Sequence, residues 1–214
     1  QYKATARDLE KLSAADLILY NGLHLEAKMA EIFEKMEGQN ITKAVAENLP
    51  EEQLLKVDEQ THDPHVWFNV ELWASVTDEI AKALIEADPR NKASYEANHD
   101  AYRKKLEALN VEVKEKIATI PLEKRVMITA HDAFNYFGQA YGVEVRGLQG
   151  ISTVSEAGTQ DVQNLAEFIA KNKIPAIFVE SSVPKKNIEA LQAAVKSRGY
   201  EVAIGGEMFS DAMG

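Results

Sequence analysis

The sequence contains no cysteine. That absence excludes disulfides, thiolate zinc sites and thiol nucleophiles together. Glycine is sparse at 11 and proline sparser at 6 in 214 residues, and no low-complexity linker or fixed-period repeat interrupts the chain. No run reaches the ~18 consecutive apolar residues of a membrane span, and no signal peptide is read at the start. Basic residues are in deficit: 24 Lys and Arg against 34 Asp and Glu leave a net charge of −10. A chain of that sign argues against nucleic acid or anionic lipid as a partner. There is also no HExxH run, so the helix-borne zinc-hydrolase motif is missing.

A chain of this length suffices for one large domain or two small lobes, and can bury about 70% of its unfolded surface without staples. Thr5 reads as the N-cap of a first helix. A short strand is expected over 16–20, closed by Asn21-Gly22, then a helix over 23–36 and, after a polar connection, a helix over 70–87 stopped near Asp88-Pro89. Residues 91–118 form a long, charge-rich helical pattern without glycine or proline, about 40 Å long at 1.5 Å per residue. So polar a helix suits a bridge between lobes. The expected division is an N-terminal α/β lobe over 1–90, a linking helix over 91–120 and a C-terminal α/β lobe over 121–214. In the second half, strands at 126–130, 143–147, 176–180 and 201–204 alternate with helices at 133–141, 159–172 and 184–198. That alternation predicts a parallel sheet covered by helices.

Two of the five histidines fall in THDPHVWFNV, residues 61–70. Pro64 stiffens the turn that presents His65, and Val66, Trp67 and Phe68 form an apolar wall beside it. His131 follows the strand VMITA, and Asp211 follows the last strand in GGEMFSD. In parallel sheets, ligands bind where loops leave the carboxyl ends of strands. Two imidazoles and a carboxylate suit zinc, and also manganese. Pattern alone leaves the alternative open: His65 as a turn histidine bonded to backbone, Asp132 as a helix cap, and no metal. Trp67 can wall a site or simply pack in a core. Glu180 ends a buried strand and needs a partner, which can be a ligand histidine or only backbone. His24 follows a strand and is a candidate neighbour of the site; His62 reads as a solvated neighbour, and His99 lies away on the long helix.

HDPHVWFNV, TAHDAFNYFGQAYG, GLQGISTVSEAG, PAIFVESSVPKKNIEAL, GGEMFSDAMG and NGLHLE resemble, in order and over essentially the whole chain, the TroA-like metal-specific solute-binding proteins of ABC importers. The resemblance implies two α/β lobes with parallel sheets flanked by helices, joined by one long rigid helix, with a divalent metal held between them. It implies His65, His131 and Asp211 as ligands, to which the reading of the residues themselves adds Glu180, Trp67 and His24 as supporting candidates. Histidine at 131 fits the zinc-associated and mixed members, whereas several manganese or iron relatives carry Glu there. Zn2+ is therefore the first expectation and Mn2+ the alternative. The expected protein is not an enzyme. It is an extracytoplasmic monomer, periplasmic or a cell-surface lipoprotein, that delivers metal to an ABC importer permease and does not bind nucleic acid.

The family's first ligand, another histidine, would fall just before Gln1, so the expectation is a chain truncated at both ends whose three ligands leave a position for water. Because ligand imidazoles must be neutral, affinity is expected to fall below about pH 6. The competing expectation is a zinc hydrolase on the same ligands, with Glu180 or Glu156 as general base. Surface display for adhesion is a third role that the residues neither support nor exclude.

Overall fold

The computed structural model describes residues 4–36, 41–152 and 157–212, apart from the side chains of Lys28 and Glu34. Its contacts divide the chain into two units, Gln1–Glu115 and Lys116–Gly214. Among the described residues no helix is long and apolar enough to cross a membrane.

The first unit opens with α1 (Ala6–Ser13), capped by Thr5 in a reciprocal capping box with Asp8. Strand β1 (Leu17–Tyr20) pairs in parallel with β2 (Ile41–Ala44). The sequence reading missed β2: ITKA is four residues long, and its neighbours 37–40 lie outside the described residues. The helix expected over 23–36 is confined to a 3-10 turn at Ala27–Met29 and α2 (Ala30–Met36). Leu23, His24 and Ala27 have φ of 51°, 63° and 47°, and left-handed backbone cannot continue a right-handed helix. Two carboxylates fasten this loop. Glu26 accepts the amides of Asn21 (2.6 Å) and Gly22 (3.1 Å), and Glu47 accepts that of Leu23 (3.1 Å).

Helix α3 (Val70–Ala87) starts at Asn69, whose side chain accepts the amides of Glu71 and Leu72. Such a cap stabilises a helix by about 1 kcal/mol. The long helix α4 (Lys92–Ala118) forms as the absence of breakers predicts. It runs antiparallel to α3 through polar pairs: Asp78 accepts from His99 (2.8 Å) and from Arg103 (2.8 Å to each oxygen), and Glu71 accepts from Asn110 (2.7 Å) and Lys114 (2.9 Å). Burial of Asp78 works against its charge, but Arg103 and His99 outweigh that and hold its carboxyl below the usual range. His99 therefore has a structural role, away from any loop cluster as expected.

In the second unit the alternation expected from sequence is present. Parallel pairs β3–β4 (Val126–His131, Glu144–Gln149) and β5–β6 (Ala176–Glu180, Ala203–Met208) carry helices α5 (Asn135–Tyr141), α6 (Thr159–Asn172) and α7 (Lys185–Lys196). The core unites Ile128, Ile169, Ile177, Ile188, Leu191 and Val195, all fully buried. Strand β6 begins later than expected and continues through Gly205-Gly206. A Cβ at Gly205 would lie 2.6 Å from the Phe178 ring, so glycine lets the strand pass under that aromatic.

Candidate metal centre

In the first unit, Asp63, Pro64 and His65 enter a short 3-10 turn (Val66–Phe68) that leads straight to the cap of α3. The proline leaves the turn no N–H at its own position, and its carbonyl accepts the Asn21 side chain at 3.2 Å. Asp63 Oδ1 accepts the His65 amide (3.0 Å) and lies 2.6 Å from His65 Nδ1. A carboxylate only accepts, so Nδ1 carries the proton and the lone pair is directed to Nε2. Both residues are buried, at 1% exposure. Trp67 stands edge-on to the imidazole, with ring centroids 5.3 Å apart, so the expected aromatic wall is in contact with His65. Asp63 is the partner that sequence reading missed. The signal was available, since an acid two residues before a histidine in a proline turn can fold back onto its ring.

In the second unit, His131 is the last residue of β3, and its ring is fully buried. Its Nδ1 is 2.5 Å from Glu180 Oε2, at the end of β5. Glu180 Oε1 accepts the amides of Ala130 (2.7 Å) and His131 (2.9 Å). Glu180 therefore meets both the imidazole and the backbone, and the reading in which it bonds to backbone alone does not hold. Asp211 follows β6, and its Oδ2 is 3.3 Å from His131 Nε2. That separation is within ion-pair range, without the alignment of a hydrogen bond. His131 and Asp211 are thus brought together at the carboxyl ends of β3 and β6.

The electrostatics follow from these contacts. Burial by itself would lower the pKa of His131. Its contacts with Asp211 and Glu180 outweigh burial and raise it from 6.5 to about 9. For Glu180, burial raises the pKa, while His131, Ser210 and the His131 amide together bring it below the usual glutamate value. His131 is thus an imidazolium held between two carboxylates, which is the state a metal ion would replace by taking the proton's place on Nε2.

The remaining candidates fall elsewhere. His24 is exposed in the strained loop after β1, which does not suit the supporting role expected of it. His62 is half-buried rather than solvated; its Nε2 is buried, with no hydrogen-bond partner among the described residues. The N-cap position of α5 falls on Phe134 rather than on Asp132. Asp132 Oδ1 accepts the Gly147 amide at 2.8 Å, tying the end of β3 to β4. Glu180 is poorly placed as a general base, because its oxygens already face three N–H donors and the Ser210 hydroxyl. The other expected base, Glu156, lies outside the described residues.

Comparison with known proteins agrees with this chemistry. The family described as ZnuA, zinc-uptake complex component A, periplasmic, matches residues 1–214. Zinc-binding protein TroA of Treponema pallidum is 52% identical over 213 residues, covering 100% of this chain and 69% of TroA. Manganese-binding lipoprotein MntA of Bacillus subtilis is 45% identical over 214 residues, covering 100% of this chain and 70% of MntA. The solved structure of the periplasmic zinc-binding protein TroA from Treponema pallidum matches with a TM-score of 0.98 at 52% identity, covering 100% of this chain and 77% of that one. The chain therefore belongs to the zinc-uptake complex component A family, the metal-specific periplasmic binding proteins of ABC importers.

Proposed function

We propose that this chain is an extracytoplasmic binding protein that captures one divalent transition-metal ion and delivers it to an ABC importer, with no catalytic step. The ligands are His65 and His131 through Nε2, and the Asp211 carboxylate. Zinc is the first cargo and manganese the second; TroA is described as zinc-binding and MntA as manganese-binding. The division into lobes at 1–90 and 121–214, with the helix between them acting as a rigid strut, belongs to the same proposal. So does a monomer without nucleic-acid partners, for which the net charge of −10 is the support.

One observation carries this reading. Each proposed imidazole ligand has a buried carboxylate on its Nδ1, Asp63 for His65 and Glu180 for His131. That arrangement fixes the tautomer, aims Nε2 and raises its basicity, which is how proteins prepare histidine for a metal. A second distance agrees. Donors about 2.0–2.1 Å from one tetrahedral ion stand about 3.3–3.4 Å apart, and His131 Nε2 and Asp211 Oδ2 are 3.3 Å apart.

Metal titration with elemental analysis tests the proposal. One zinc per chain is expected. His65→Ala, His131→Ala and Asp211→Ala should each weaken binding by more than the roughly 10–100-fold typical of changes behind the ligands. A variant that keeps wild-type affinity would remove that residue from the site.

A further inference from the structure

Ser210 stands one residue before Asp211 and is 4% exposed. Its Oγ is 2.7 Å from Ser182 Oγ, in the turn after β5. Its hydroxyl also bonds Glu180. A hydroxyl has one proton, and an ionised carboxylate can only accept. Ser210 must therefore donate to Glu180 and accept from Ser182, which fixes the direction of both bonds. Glu180 then receives four donors: the Ala130 and His131 amides, His131 Nδ1 and Ser210 Oγ. The strand that presents His131 and the loop that presents Asp211 are fastened to one buried carboxylate.

From this arrangement we infer that Ser210, oriented by Ser182, is a positioning residue that sets the separation between the His131 and Asp211 donors and so controls how tightly the ion is held. This rests on the ligand assignment proposed above. Without the Ser210 hydroxyl, Glu180 loses its only link to the Asp211 loop among these four donors. Asp211, whose side chain is 25% exposed, then samples positions too far from His131 to share an ion with it.

The test uses the full chain and the variants Ser210→Ala, Ser182→Ala and their combination. Zinc affinity is measured by chelator competition and dissociation by stopped flow. Ser210→Ala should lose at least about 10-fold in affinity, the lower end for partners of metal ligands, through faster release. Ser182→Ala should lose less, and should add nothing when Ser210 is already alanine, because its effect passes through that hydroxyl. In the metal-free protein, the proton NMR signal of His131 Nδ1–H should move in both single variants, since both alter the hydrogen bonding of Glu180. A merely structural serine would lower stability without moving that signal. Unchanged affinity in Ser210→Ala, additive losses, or an unmoved proton signal would each overturn the inference. Should Ser210→Ala fail to fold, Ser182→Ala decides alone: weaker zinc binding with a moved proton signal upholds the relay, and neither change overturns it. If His131→Ala binds zinc as well as the unaltered chain, the ligand assignment has failed, and the metal-free proton signal still tests the relay.

Discussion

An imidazole bonded at one nitrogen to an ionised carboxylate keeps its proton there and offers its other nitrogen to a cation. His131 has a carboxylate at each nitrogen, Glu180 at Nδ1 and Asp211 at Nε2, and this moves its titration well away from that of an ordinary histidine. The sequence-based expectation of lost affinity below about pH 6 treats the ligand imidazoles as ordinary. With His131 raised to about 9, proton competition begins near that value. Zinc affinity should rise about tenfold per pH unit on approach to pH 9, since one proton must leave His131 for each ion bound. Calorimetric titrations at pH 7, 8 and 9 with equal affinities would remove the prediction. The stability of the metal-free protein should move the other way. A raised folded-state pKa contributes stability that is complete below 6.5 and is lost as pH climbs through about 9. Glu180, lowered, contributes stability above the ordinary glutamate value of 4.5 that is lost as pH falls through its depressed folded-state pKa. The residue types at 65, 131 and 211 were legible in the sequence. Asp63 was passed over although its place two residues before His65 was a usable signal, whereas the role of Ser210 depends on distances that only the folded turns create.

Elements with strong periodicity were legible for the same reason they are stable. α4 has no breaker, and α6 matched its expected span because its apolar face repeats at helical spacing. The failures have backbone causes. Helical spacing over 23–36 could not reveal three left-handed residues, and Gly205-Gly206 looked like an end when it was the middle of β6. Glycine at 147 in β4 has a sharper requirement. An added Cβ there would meet Asp132 Oδ1 at 2.5 Å and the backbone of residues 131 and 132 at 2.6 Å. Gly147→Ala must therefore push β4 away from the end of β3, where His131 sits. A loss of about 1–3 kcal/mol in chemical denaturation is expected, as for other overpacked cores, along with weaker zinc binding. A variant as stable as the unaltered chain would show that the strand end can shift without cost.

At the scale of the whole chain, a ligand that binds only the folded state stabilises it by mass action. Zinc at about 100 times its dissociation constant should add about 2.7 kcal/mol. Thermal denaturation should therefore show a higher Tm with zinc, returned to the metal-free value by a chelator, and no shift in the His131→Ala variant at the same zinc concentration. Alanine at 131 should still fold, because Glu180 takes the Ala130 and His131 amides from the main chain. No side-chain replacement at position 131 can strip those two donors away. Position 131 can thus exchange one donor chemistry for another while the carboxylate behind it stays anchored. The appetite of such a carrier for softer or harder ions is then adjustable by a single codon, without rebuilding the scaffold that bears it.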